Sequence, residues 1–593
     1  LNHKTASGLI GGIYIHLSNQ CLAYENASGS GDTILANRKI YKGQWTHVAV
    51  SRNSNVTRLF QDGILVGTGT HDDYSFPESY FHVGINSSAS GNGFHGNISN
   101  VRLIKGTGLY TSSFRPPTEP LTNVTNTKLL CCNNSSVTGS TVTPGTITSE
   151  GNTPTASSDS PFDDPAAFTF GENGDQGIIK CGSYTGSGSV GMEVNVGWEP
   201  QWILLKRTAA TANWVLADNI RGISNADNDS WLYPNTNAAE LASADILELT
   251  SDGFKVISNG TYFNNDGDTY IWMAIRRPDG YVGKPADAGT DVFSMDTGNS
   301  SSTTPAFDSN FVVDMFLHQK PASAGLDWRL TTRFNASDKL PPNTAAAESD
   351  ESPNNEMDSN VGVGRNYDSD WQAWMWKRHA GFDVVAYKGN GMQNTGHYHN
   401  LSKTPEMIWT KNRDSTGGGT DEAWVVWHKN LGADGSNVNN QFMRLNTNDD
   451  EMGNNNIYGG SNATAPTATH WTTGEHETVN DSNYNYIAML FASVDGISKV
   501  GSYDGSDSAQ TITTGFQPRF VIIKRVTSND DWFVLDTTRG WASGNDQKLK
   551  LNSTASQNND DDCGAPTSTG FTLPGAYASF SASGSKYIYY AHA

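Results

Sequence analysis

The chain has little cysteine, little charge and no long apolar run. Its five cysteines, Cys21, Cys131, Cys132, Cys181 and Cys563, are too sparse in 593 residues for a disulfide framework. Cys131 and Cys132 are adjacent, so a bridge between them would strain the backbone. All five therefore read as reduced thiols, as in a protein assembled in a cytosol. No stretch approaches the roughly eighteen consecutive apolar residues of a membrane-spanning helix, so no membrane insertion is expected. Only 17% of residues are charged, and 39 Lys and Arg against 61 Asp and Glu leave a net charge of −22. The basic residues are scattered, and a nucleic-acid reader needs them clustered. A helix-period apolar stripe is missing too, which argues against a helical fold. Neither a G-x-S-x-G elbow nor an H-E-x-x-H pair occurs, and no pair of acidic residues stands out, so no enzyme is expected. The start, LNHKTASGLIGGIYIHLSNQ, has no basic region followed by an apolar core. It reads like the interior of a domain, and the expectation is a piece of a longer chain.

What is present is glycine, at 60 residues, with abundant Asn, Ser and Thr between short apolar or alternating runs. That pattern predicts an all-β chain. The many Asn-x-Ser/Thr matches, Asn26, Asn55, Asn97 and Asn259 among them, follow from this composition and do not show secretion.

A block recurs four times. It is plainest at Gly515–Gly540, GFQPRFVIIKRVTSNDDWFVLDTTRG, and at Gly197–Gly222, GWEPQWILLKRTAATANWVLADNIRG. Looser copies begin at Thr304 and Lys403. The anchoring prolines Pro200, Pro305, Pro405 and Pro518 stand 105, 100 and 113 residues apart. Each copy opens on a tyrosine before a turn, at Tyr184, Tyr281, Tyr387 and Tyr503, and closes on an aromatic run from Tyr270, Trp371, Tyr486 or Tyr587. Repeats of roughly 100 residues suit tandem β-sandwich, jelly-roll-like domains. The predicted units are 168–279, 280–380, 381–495 and 496–593, and near-absent linkers predict close packing. Trp202, Phe311, Ile408 and Phe520 are expected on equivalent strands. Trp214, Trp328, Trp424 and Trp532 head apolar strands, so they read as core before they read as sugar platforms.

Upstream, WTHVAVSR from Trp45 alternates like a half-buried strand, and LFQDGILVG turns at Asp62-Gly63, a pair that favours a two-residue hairpin. With FHGNISNVRLIKGTGLYTSSFRPPTEPL, these motifs resemble the laminin-G-like, concanavalin-A-like lectin domain, in the version found in virion proteins of marine tailed phages. The resemblance covers about 11–121 and implies a sandwich over 1–121, short of strands at its front. Residues 122–167 read as a polar linker with one short strand at Lys128–Cys132. The repeat also resembles one seen beside the lectin-like domain in the same phage proteins.

Candidate chemistry is thin. Gly186–Gly191 matches G-x-G-x-x-G, but the strand-like MEVNVGWEP follows instead of a helix, so a hairpin turn is expected. His397 and His399 share a strand face and lack a third ligand nearby. Asn264–Asp268, Asn446–Asp450 and Asn558–Asp562 are oxygen-rich and read as solvated turns, leaving Asp266, Asp268, Asp560 and Asp562 as Ca²⁺ candidates. No ligand-binding residue is identified and no other cofactor is expected.

The resemblances imply a virion structural protein, a tail fibre or similar appendage assembled in the host cytoplasm. It would contact other virion proteins and bind host cell-surface glycan weakly at several copies. A bacterial surface adhesin and a polysaccharide depolymerase are the alternatives. A homo-oligomer, a trimer by resemblance, is expected with the closing runs WQAWMWKR and YIYYAHA near an interface, because they carry more aromatics than one strand face buries.

Overall fold

The computed structural model describes residues 2–593 except 5–9, 17–19, 26–32, 42–44, 71–79, 85–92, 118, 150–153, 158–160, 163–176, 224–227, 285, 379–380, 415–421, 433–436, 455, 459–464 and 483. The chain is all β, in tandem sandwiches. It divides into two compact units. One holds Leu1–Leu216, Tyr233–Asn237 and Ser258–Arg276; the other holds Ala217–Leu232, Ala238–Ile257 and Arg277–Ala593.

In the first unit a five-stranded sheet (Thr33–Lys39, Cys21–Glu25, Ile10–His16, Asn2–Lys4, Tyr80–His82) accompanies a three-stranded one (Val48–Asn53, Val56–Gln61, Ile64–Thr70). Leu22, Ile34, Ala36, Leu59 and Val66 form the core. The Asp62-Gly63 turn forms as expected, with φ of 51° and 77°. A side chain at Gly63 would strike the carbonyl oxygen of Phe114, so this hairpin needs glycine where the chain folds back. Phe114 stacks on Tyr110 there, with ring centroids 3.5 Å apart.

The stretch expected as linker is partly a sheet. Thr127–Cys131 lies between Val101–Ile104 and Ser140–Val142, antiparallel to both. Its apolar residues are few but consecutive. Leu129 and Cys131 are buried with Val101, enough for a small local core that average composition hides. Of the remainder, 150–153, 158–160 and 163–167 lie outside the described residues.

The sequence repeat is a structural repeat. In each copy the opening and closing strands pair, and the next long strand flanks the closing one: Ile179–Thr185, Thr269–Arg276 and Pro200–Arg207 in copy 1; Phe293–Thr297, Gln372–Trp376 and Met315–Gln319 in copy 2. Copies 3 and 4 use Phe382–Lys388, Asn485–Phe491 and Met407–Asn412, then Ser498–Asp504, Lys586–His592 and Phe520–Arg525. In copies 1, 3 and 4 the opening tyrosine stacks on the tyrosine of the closing strand: Tyr184 on Tyr270 at 5.0 Å, Tyr387 on Tyr486 at 5.3 Å and Tyr503 on Tyr587 at 5.0 Å. Each opening hydroxyl donates to a backbone carbonyl, of Phe263, Val479 and Phe580 respectively.

Copy 2 departs from expectation. Its register aligns Met315, not Phe311, with Trp202, Met407 and Phe520. Pro305 therefore stands eight residues before the anchoring position, which Val313 fills. Tyr281 lies outside the opening strand, and Gly298, bonded to the carbonyl of Trp371, takes the tyrosine's place.

Copies 2, 3 and 4 close a ring inside the second unit. The Trp328 indole N–H donates to the Lys550 carbonyl at 3.0 Å, Trp532 to Arg444 at 2.9 Å and Trp424 to Pro341 at 3.0 Å. Copy 2 thus reaches copy 4, copy 4 reaches copy 3, and copy 3 reaches copy 2. A second set joins the same pairs of copies with the donors reversed, in backbone hydrogen bonds: Gln557 N–H to Pro321 O at 2.7 Å, Glu451 N–H to Val526 O at 3.0 Å and Glu348 N–H to Arg413 O at 2.9 Å. The closing runs meet at the centre, where Phe491 packs on Tyr590 at 4.8 Å and Trp376 on Phe520 at 5.6 Å. The surplus aromatics that pointed to a second chain are therefore buried by sister copies: Trp376 is 2% exposed, Tyr590 and Phe491 1% each.

Candidate functional site

One asparagine per copy organises the ring junctions. Asn343, Asn446 and Asn552 each accept the backbone N–H of their own copy's tryptophan, Trp328, Trp424 and Trp532, at 2.9–3.1 Å. The carbonyl two residues before each asparagine receives the indole of the next copy. Buried lysines complete two of the junctions. Lys411 Nζ donates to Ala345 O and Glu422 O, and Lys524 Nζ to Asn448 O and Asp530 O. Burial pulls both ammonium groups down to about 8, because desolvation outweighs the nearby Glu422 at Lys411 and the aspartates around Lys524. Gln319 occupies the third position and donates to Leu326 O. These polar residues went unread in the sequence, although PNT, PNT, LNT and LNS at Pro234, Pro342, Leu445 and Leu551 repeat the signal.

The tryptophans divide. Trp328 and Trp424 are 0% exposed and Trp532 1%, so they are core. Trp214 is half-buried, although its backbone N–H meets Asn235 Oδ1 at 2.9 Å as in the other copies.

The metal candidates do not converge. Asp268 is paired with Arg207 and accepts from Asn265 Nδ2 at 2.7 Å, whereas Asp266 is exposed. Asp560 accepts from Asn558 at 3.2 Å and Asp562 from the Gly564 N–H at 2.8 Å, both as turn contacts. Among the described residues no three His, Cys, Asp or Glu side chains form a metal cluster. His397 and His399 are buried and already used: His397 bonds Thr473 Oγ1 at 2.8 Å, and His399 bonds the Thr467 carbonyl at 3.1 Å. Burial pushes His399 down to about 3. The Gly186–Gly191 stretch joins strands of two different sheets, so it is a crossover turn and not a hairpin; Ser187 N–H donates to buried Asn264 Oδ1 at 2.7 Å.

The densest ionisable group is Lys548, Asp561, Tyr577 and Cys563 in copy 4. Tyr577 donates to Asp561 at 2.6 Å, and burial pushes both the Tyr577 hydroxyl and the Cys563 thiol up to about 12. Neither is a nucleophile at neutral pH. A cavity of about 420 Å³ near Ser502, Asp504 and Lys586 is polar, and its Tyr503 hydroxyl is committed to Phe580 O.

On the N-terminal sandwich the register puts Tyr14, Ala23 and Leu35 in one row. Ile13, Tyr24 and Ile34 face the core, so this row lies outside. Tyr14 is 37% and Leu35 40% exposed, with Ala23 fully covered. An exposed ring beside a small residue offers a flat amphipathic platform. The alternation of IYIH already displays Tyr14 opposite Ile13 and Ile15.

A family model described as a domain of unknown function, DUF7483, matches residues 101–277 and 373–593. The chain belongs to the DUF7483 family. The two matched segments span copy 1 with the small sheet before it, then the closing strand of copy 2 with copies 3 and 4. A model of the concanavalin A-like lectin/glucanases superfamily matches residues 3–107, in agreement with the lectin-like motifs. No curated protein and no solved structure matches the chain.

Proposed function

We propose that this DUF7483 chain is a glycan-binding structural protein, in which the concanavalin A-like domain contacts a cell surface and the β repeats carry it. The observation that supports this most is the pairing of a lectin-like sandwich, which exposes Tyr14 and Leu35, and a repeat whose polar side chains are spent on joining copies. Its finer form is a tail-fibre or similar appendage of a tailed phage, supported by the motif resemblances of residues 11–121 and of the repeats. Weak sites gain avidity when several are linked. A second reading is cleavage of glycan, favoured by the glucanases in the superfamily's description. Incubating the full chain with cell-surface polysaccharide separates the two. Retention of glycan without new reducing ends supports the binder, release of reducing ends supports the hydrolase, and neither outcome sinks both.

A further inference from the structure

Copy 1 carries the same joining surfaces as the ring copies. Trp214 holds the position of Trp328, Trp424 and Trp532 by its asparagine bond, and Lys206 that of Lys411 and Lys524 by strand register. Asn235 bonds the Trp214 N–H, so the Tyr233 carbonyl holds the position of Pro341, Arg444 and Lys550. The partners differ. Among the described residues the Trp214 indole N–H makes no hydrogen bond, and Lys206 Nζ reaches only the Arg207 carbonyl, at 2.7 Å. The Tyr233 carbonyl takes the Thr236 N–H, as Pro341 takes Thr344 and Lys550 takes Ser553, but its further contact is the Thr236 hydroxyl at 3.2 Å and not an indole. Burial follows the same split: Asn235 is exposed where Asn343 is buried, and Lys206 is half-buried where Lys411 and Lys524 are fully covered.

We propose that copy 1 of three separate chains forms the ring that copies 2–4 form within one. The contact is head-to-tail, so it closes only if the rotation per step divides a full turn. The internal ring shows that this surface closes at three. The occupant is thus a second and a third copy of this chain, with each Trp214 indole on the next chain's Tyr233 carbonyl and each Lys206 ammonium near the next chain's Asn237 carbonyl. This inference does not depend on glycan binding, although it would place three lectin-like domains in one particle.

Light scattering on the full chain at about 10 μM tests it, against a chain mass of 64.0 kDa. Three-chain mass for the wild type, and single-chain mass for Trp214→Ala with the fold retained by circular dichroism, are expected. Should Trp214→Ala unfold, Asn237→Arg sets a second cation against Lys206 from an exposed position and should also give single chains. A wild type of one or two chains overturns the proposal. So does a three-chain particle that survives both substitutions, since it would then be held by another surface.

Discussion

Trp532 and Trp214 begin from the same local design and end in different surroundings. Trp532 opens a strand and Trp214 directly precedes one, and each has its backbone N–H held by an asparagine at 2.9 Å. Trp532 is sealed because copy 3 offers Arg444 O and Asn448 O to its junction. Trp214 receives no such neighbour. The strand, the asparagine bond and the lysine belong to the copy, whereas burial belongs to the ring.

Truncation should expose the difference most. Trp532→Ala removes a fully enclosed ring and a junction hydrogen bond and should cost about 3–5 kcal/mol in chemical denaturation. Trp214→Ala in single chains should cost under about 1.5 kcal/mol, in line with its partial burial. Equal losses would break the comparison.

Acid is the next lever. Burial pushes His399, His428 and His592 down to about 3 and His470 to about 4. The unfolded chain takes up protons at these rings below about pH 6.5, and the folded chain does so only near 3–4. Stability should therefore fall as pH drops through that window, by up to about 1.4 kcal/mol per pH unit for each histidine. All four belong to ring copies, so the ring should melt first in an acid series followed by circular dichroism. A melting temperature flat from pH 7 to 4.5 would contradict their burial.

Asn552→Ala leaves the Trp532 N–H unpaired in a covered site and should cost about 1–3 kcal/mol. Asn235→Ala, at an exposed position, should cost less than about 1 kcal/mol because water replaces the bond. The alkaline effect has the opposite sign. Lys411 and Lys524 release protons near pH 8 when folded and near 10.5 when unfolded, so stability should rise between those values. Above about pH 10 the buried tyrosines reverse the slope, because burial holds Tyr590 and Tyr458 above their ordinary range. Lys524→Met should abolish about half of the rise, leaving the Lys411 share.

Local pattern carried much of this architecture. Alternation and turn residues marked the strands, and Asp62-Gly63 marked its hairpin through backbone preference alone. The repeat was legible because each copy keeps its tyrosine, tryptophan and closing aromatics for its own packing. It failed at copy 2, where a proline eight residues early imitated the anchor and Gly298 replaced the tyrosine. The junction asparagines were equally visible in PNT and LNT but carry no apolar signal, so hydrophobic reading passed over them.

The ring was beyond reach for a different reason. The runs holding Trp376 and Tyr590 showed in the sequence that both faces of these closing strands must be covered, and burial of aromatic surface demands that much whatever the partner. Periodicity gives the direction of a side chain, not the identity of what meets it. A sister copy and a second chain present the same chemistry to that face, and only the path of the backbone through three dimensions decides between them. Sequence by itself thus determined the strands, the repeat and the need for an interface. Tertiary structure decided that copies 2, 3 and 4 satisfy it for one another, while Trp214 and Lys206 of copy 1 keep the same surface open.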